Sequence, residues 1–377
     1  MRVEVNPALV HWAIERAGGR RAYLYDRFPK LDDWERGEAQ PTLKQLEDFA
    51  RAAYVPMGYL FLPEPPEEKL PISDLRTIDG RGVSRPTPDL LDVIYLCQRR
   101  QAWYRDYAEG VGEDAKIFVG SAKLSHSAER VAGDMRERLD FSIAERRAIS
   151  TWEEALRRFI AQAEDLGILV MVSGVVGSNN KRILDAGEFR GFALADKIAP
   201  LVFINGADTK AAQMFTLAHE LAHIWLGQSA LGDAGPSATN NVEIWCNRVA
   251  AELLVPLADL KTEVGKEDPA EAVPRLARAF KVSTLVILRR LLDAGVLGRD
   301  RFDKAYAAEI ARLTSKEKAG GGNFYLTQGA RLSKRFARAI ITSTLEGQTL
   351  FRDAFQLLGI NKEKTFRELG RTLEVSP

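Results

Sequence analysis

Residues 210–227 read KAAQMFTLAHELAHIWLG, and this stretch decides how the rest of the chain is read. The short turn Ile204–Asp208 leads into a helix expected to begin near Thr209 and to stop at Gly227, a good C′ residue. Within it lies His219-Glu220-Leu221-Ala222-His223, an H-E-x-x-H match. The chain has only four histidines, His11, His126, His219 and His223. On this composition a chance match is expected roughly 0.002–0.003 times. Residues i and i+4 share one helix face, so the two imidazoles can converge on one metal ion. Phe215, Ala218, Ala222 and Trp225 would anchor the other side in the core. Glu220 lies about 100° around from His219, placed to act on a water without being a ligand.

A catalytic zinc site needs a third protein ligand and an open fourth position. Downstream, the helix expected over Val242–Leu254, in EIWCNRVAAELLVP, offers Glu243 and Glu252. They lie about 13.5 Å apart along an ideal helix, so only one can meet the metal. Asn247 follows Glu243 by four residues on the same face and could hydrogen-bond a ligand histidine. That favours Glu243, and Glu252 is read as a helix-surface residue. Cys246 is read as a core thiol rather than a redox group or an extra ligand.

Upstream, the spacing predicts strands over Ile168–Val172, about Phe189–Ala195, and Leu201–Ile204. The strand Phe189–Ala195 is a candidate edge to which a substrate peptide adds. Residues 228–241 (QSALGDAGPSATNN) read as a polar loop, and KEKAGGGN (316–323) as a hinge. Short helices are expected over 6–62, a Pro/Glu-rich linker over 63–88, and a strong helix from Asp89 to about Ala108. The fold class is therefore α+β, mainly helical. The organisation expected is a helical domain over 1–62, a linker over 63–88, a metallopeptidase domain over 89–260 and a C-terminal helical region over 261–377.

Composition fits this. The chain has 377 residues, 46% hydrophobic and 28% charged, as a packed soluble protein requires and a disordered or collagenous one does not. The net charge is +1, which excludes a uniformly basic nucleic-acid binder, although residues 261–377 hold 22 basic against 14 acidic side chains. Two cysteines suggest no disulfide framework. The opening MRVEVNPALV lacks a charged segment followed by an apolar one, and the longest apolar run, Leu166–Gly177, is too short to span a bilayer. A cytoplasmic protein with no membrane partner is expected.

With these residues in place, the sequence resembles the ImmA/IrrE-type zinc metallopeptidases, which have a gluzincin-like active site. The resemblance rests on GEAQPTLKQLEDFARAAYVPMGYLFLPEPPEE, LLDVIYLCQRRQAWYRDY, EFRGFALADKIAPLVFINGADTKAAQMFTLAHELAHIWLG and EIWCNRVAAELLVP. It implies His219, His223 and Glu243 as zinc ligands and Glu220 as general base. LLVP stands where the family more usually has LLMP. The resemblance also implies a regulatory endopeptidase whose protein substrate is an Xre-type repressor or a toxin-like partner encoded nearby. The rival is a DNA-binding or toxin-neutralising module that keeps a metal without turnover.

LDDWERGEAQPTLKQLEDFA resembles the end of an Xre-type helix–turn–helix domain. Residues 1–70 carry 10 basic and 12 acidic side chains, whereas phosphate binding wants Lys and Arg, so a degenerate, protein-binding module is favoured over DNA binding. Ala277–Gly295 is a second helix–turn–helix-like pattern, ringed by Arg278, Lys281, Arg289 and Arg290, and read as a solvated basic face. Arg331, Lys334, Arg335 and Arg338 either meet a partner or cap the fold.

Overall fold

A computed structural model describes residues 2–75, 86–232, 240–317 and 332–375. Its chain divides into two compact units, Met1–Pro71 with Ser84–Ile94, and Ile72–Val83 with Tyr95–Pro377.

The first unit is helical: α1 Pro7–Arg16, α2 Arg21–Arg27, α3 Leu31–Glu35 and α4 Leu43–Ala53. Asn6 caps α1 ahead of Pro7, and Thr42 with Gln45 forms a reciprocal capping box on α4. The core gathers Leu9, Ile14, Leu24, Leu46 and Phe49, with Phe28 and Trp34 set edge-on or tilted against Phe49 and each other. His11 is a surface residue bonded to Glu35 and Glu15.

Helix α5 (Pro88–Gly110) contains the division between the units. The second unit continues with α6 Ala128–Arg138, α7 Ile143–Ala148 and α8 Trp152–Asp165, then strands and two long helices, α9 Lys210–Leu226 and α10 Asn241–Leu254. Beyond these lie α11 Leu257–Val264, α12 Val273–Phe280, α13 Thr284–Asp293, α14 Arg299–Glu317, α15 Lys334–Leu345, α16 Phe351–Leu358 and α17 Glu363–Thr372. No helix among the described residues is long and apolar enough to cross a membrane.

The five strands are β1 Ser73–Asp74, β2 Leu169–Ser173, β3 Gly191–Leu194, β4 Leu201–Asn205 and β5 Ala230–Leu231, in the order β1-β5-β3-β4-β2. The sheet is mixed: β2/β4 and β1/β5 run parallel, and β3 is antiparallel to both β4 and β5. The small sheet beside many helices is the α+β, mainly helical class read from the sequence. Strand β4 is wholly buried and β2 nearly so, as expected of strands covered on both faces. Gln101 donates from Nε2 to the Leu194 and Ala199 carbonyls, tying α5 to the turn between β3 and β4.

Several expectations change here. The 228–241 loop contains a strand: Ala230 and Leu231, both buried, pair with β3 and β1. Consequently β3 has neighbours on both sides, and the idea that Phe189–Ala195 is a free edge for a substrate strand is withdrawn. Residues 233–239 of that loop, and 318–323 of the expected hinge, lie outside the described residues. His126 lies in the turn before α6.

The Ala277–Gly295 segment does form a helix–turn–helix pair, but its basic face is only half solvated. Arg278 and Arg289 are exposed, whereas Lys281 and Arg290 are buried. Lys281 donates to the Arg278 carbonyl, and Arg290 pairs with Glu252. Of the last basic group, Arg335 bonds Tyr104 and Glu113, and Arg338 bonds the Leu373 carbonyl. Arg331 lies outside the described residues.

Candidate metal centre

The site is built on α9 and α10. Thr209 caps α9, its hydroxyl accepting from the Ala212 N–H. Gly227 ends the helix in the left-handed conformation, φ 70°. Packed between sheet and helices, α9 is buried nearly all round, so His219, Glu220 and His223 are as enclosed as Ala218, Ala222 and Trp225, while Phe215 is only half-buried. Asn240 caps α10, accepting from the Val242 N–H, and Glu243 falls in the first turn.

At the other end of α10 three arginines receive the carbonyls that a helix terminus leaves without partners. Arg136 donates to Glu252 O, Arg146 to Leu254 O and Arg290 to Val255 O. Cations there also complement the helix dipole.

These supports bring three side chains together. The Nε2 atoms of His219 and His223 lie 3.2 Å apart. His219 Nε2 lies 3.1 Å from Glu243 Oε2, and His223 Nε2 lies 3.1 Å from Glu243 Oε1. All three side chains have zero exposure. Zinc–nitrogen and zinc–oxygen bonds of about 2.0–2.1 Å set neighbouring donors about 3.3 Å apart in a tetrahedron. The observed separations fit that requirement, and so does the donor chemistry of two imidazoles and one carboxylate.

Glu252 does not join them. It is not the helix-surface residue expected either, being 7% exposed and ion-paired with Arg290. Asn247 Oδ1 lies 3.0 Å from His219 Nδ1. If Nδ1 carries the proton, Asn247 accepts it and Nε2 is left with its lone pair toward Glu243 and His223.

Glu220 is also fully buried, and neither carboxylate oxygen has a hydrogen-bond partner among the described residues. Burial pushes its carboxyl up to about 8; the His219 charge opposes this and the Glu243 charge adds to it. For Glu243, burial opposes ionisation, but bonds from both imidazoles outweigh it and hold the carboxyl well below the usual range. His219 is raised because its bond and charge interaction with Glu243 outweigh burial. His223 is lowered, by burial and then by the neighbouring His219 charge. A bound cation would supply the positive charge that the imidazoles bring to Glu243 only when protonated.

Cys246, on the same helix, is buried and free, and burial pushes its thiol well above the ordinary value. That is the condition of an unreactive core thiol.

Two glycines were missed in the sequence. A Cβ on Gly232 would stand 2.8 Å from His219 Nε2, and one on Gly191 would stand 3.0 Å from Glu220 Oε1. The available signal was a glycine directly after an apolar Ala-Leu pair inside a polar loop.

Residues 163–292 match the family model described as the IrrE N-terminal-like domain, Peptidase_M78. Residues 332–372, spanning α15 to α17, match a model described as a domain of unknown function, DUF8813. No curated protein matches the chain.

Proposed function

We propose, for a chain whose residues 163–292 belong to the ImmA/IrrE-type metallopeptidase family, that it is a zinc-dependent endopeptidase of narrow specificity. The observation that carries this reading is the convergence of His219, His223 and Glu243 within 4.8 Å of one another, with the buried Glu220 beside His219 on the same helix. In this reading the three converging residues hold the ion and Glu220 is the general base. Zinc would supply Lewis-acid polarisation of the scissile carbonyl and a lowered pKa for water.

The chain's own residues do the rest. Glu220 takes a proton from the attacking water and passes it to the leaving amine as the C–N bond breaks. Glu220 is buried with no hydrogen-bond partner on either oxygen among the described residues, which leaves the carboxylate available to a water held at the site. Asn247 fixes the His219 ring and its tautomer. A carboxylate that only balanced a structural ion would not need a second, unpartnered carboxylate beside it.

The substrate we propose is a regulatory protein, an Xre-type repressor or toxin-like partner encoded beside this gene, met in the cytoplasm. The resemblance of the sequence to enzymes of that kind supports this. We assign residues 1–62 to partner recognition and residues 89–260 to the catalytic centre, with 63–88 as linker and 261–377 as a supporting helical region.

The test is to incubate zinc-loaded protein with the neighbouring gene product, beside Glu220→Gln and a chelated control. One discrete cut, lost in both controls, is expected. Stoichiometric zinc and a stable complex without a cut would instead indicate a binding or toxin-neutralising role.

A further inference from the structure

Gly232 follows directly on β5 and is buried. It is not among the glycines with positive φ, so its backbone conformation is open to any L-residue. What excludes a side chain is the site. The three nearest atoms to a Cβ built there are His219 Nε2 at 2.8 Å, Glu243 Oε2 at 3.2 Å and His223 Nε2 at 3.2 Å. Those atoms belong to the same donor set: His219 Nε2 lies 3.2 Å from His223 Nε2 and 3.1 Å from Glu243 Oε2. Of the two points almost equally far from three such donors, one on each side of their plane, the one on the metal's side is the fourth corner of their tetrahedron. In catalytic zinc sites that corner is left to water or substrate.

Gly191 is a useful contrast. Counting two residues outward from the Ala193–Ala230 pair brings Gly191 opposite Gly232. A Cβ on Gly191 would meet Thr216 Cγ2 at 2.6 Å and the Phe203 carbonyl at 2.8 Å, besides Glu220 Oε1. Close packing of β3 on α9 is enough to require that glycine. No such packing reason exists among the three nearest neighbours of Gly232.

We infer that Gly232 keeps the fourth corner of the donor set clear, and thereby determines that a small polar group such as a peptide carbonyl or a small anion can enter it. This rests on the reading of the site as a metal centre. The missing side chain is then an access determinant: a single methyl group at this position occupies the place where the reacting group must sit.

The experiment compares wild type and Gly232→Ala loaded with cobalt(II), titrated with azide and followed by visible absorption. The wild type is expected to take up one equivalent and to change its spectrum with azide. G232A is expected either to hold cobalt with a spectrum that needs about tenfold more azide or stays silent, or to remain folded without taking up the ion. Azide titrating G232A as it does the wild type would overturn the inference.

If the variant is thermally weakened, metal-free protein decides. The loss of Tm in G232A should largely vanish when His219→Ala removes the nearest atom. An undiminished loss would assign the glycine to the backbone and overturn the inference. A wild type that takes up no cobalt would overturn the reading of the site and this inference with it.

Discussion

The two ends of α10 each bury a carboxylate, and the company each keeps is different. At the N-terminal end Glu243 faces two imidazoles, 3.1 Å from each. At the C-terminal end Glu252 is paired with the Arg290 guanidinium, with Arg136 and Arg146 on the neighbouring carbonyls. The chain itself supplies a permanent cation to Glu252. To Glu243 it brings two imidazoles, which are cationic when protonated. Burial therefore does not mark a carboxylate as a metal ligand. What sets Glu243 apart is its company, two imidazoles that can share a metal ion with it in place of a guanidinium.

The sharpest way to break this contrast is to truncate each carboxylate in turn. Glu243→Ala removes one of three protein donors and should weaken zinc binding on the order of 10⁴-fold. Competition with a chromophoric chelator measures it. Glu252→Ala takes the closest counter-charge from the buried Arg290, leaving it the Asp293 carboxylate at 3.7 Å and the Val255 carbonyl, and should cost about 2–3 kcal/mol of unfolding free energy. Its zinc affinity should stay at the wild-type value, as read by denaturant titration alongside the same chelator assay. Exchanged outcomes, with zinc lost in E252A and kept in E243A, would reverse the assignment of the two ends.

A third buried carboxyl extends the comparison. Burial pushes Glu164, on α8, up to about 7, against the opposing pull of the Ser333 hydroxyl and the Lys334 N–H. Its value when unfolded is 4.5, so the protonated form is favoured in the native state. Stability associated with this group is fully present below pH 4.5 and is lost as pH rises toward 7. The loss amounts to about 3 kcal/mol at 1.4 kcal/mol per pKa unit. Glu164→Gln keeps a hydrogen-bond acceptor without the charge, and its stability should be flat across that window. An unchanged slope in urea unfolding between pH 4.5 and 7.5 would show that Glu164 titrates normally.

The smallest effect expected is at Asn247. Replacing it with Ala leaves the three donors in place but frees the His219 ring, and zinc affinity should fall about 10–100-fold. No change in affinity would mean that packing alone orients the imidazole.

How much of this could be read from the sequence follows the range of the interaction. The extent of helix α9 was legible, because the turn before Thr209 and the glycine at 227 act within a turn of the helix ends. The convergence of His219 with His223 follows from a spacing of four. The choice of Glu243 over Glu252 followed from Asn247 on the same face, again a local relation. What failed depends on partners far along the chain. Glu252 looks like a surface residue until Arg290, 38 positions later, folds onto it. Arg290 looks solvated for the same reason, and Lys281 because the Trp152 ring it lies over is 129 positions upstream. Strand β5 is two residues long, too short to show alternation, and it was hidden in a polar stretch. Missing it made β3 look like an edge. Gly232 was invisible because its backbone is ordinary; only the three donors in front of it explain the absence of a side chain.

The most direct test of the account is zinc-edge X-ray absorption on the purified protein, with zinc content measured in parallel for the wild type and Glu243→Ala. The account predicts one zinc per wild-type chain, surrounded only by nitrogen and oxygen at about 2.0–2.1 Å with two imidazoles resolved, and no bound zinc in the variant. A sulfur neighbour at about 2.3 Å, which only Cys246 on this helix could supply, or a full equivalent of zinc retained by E243A, would contradict it.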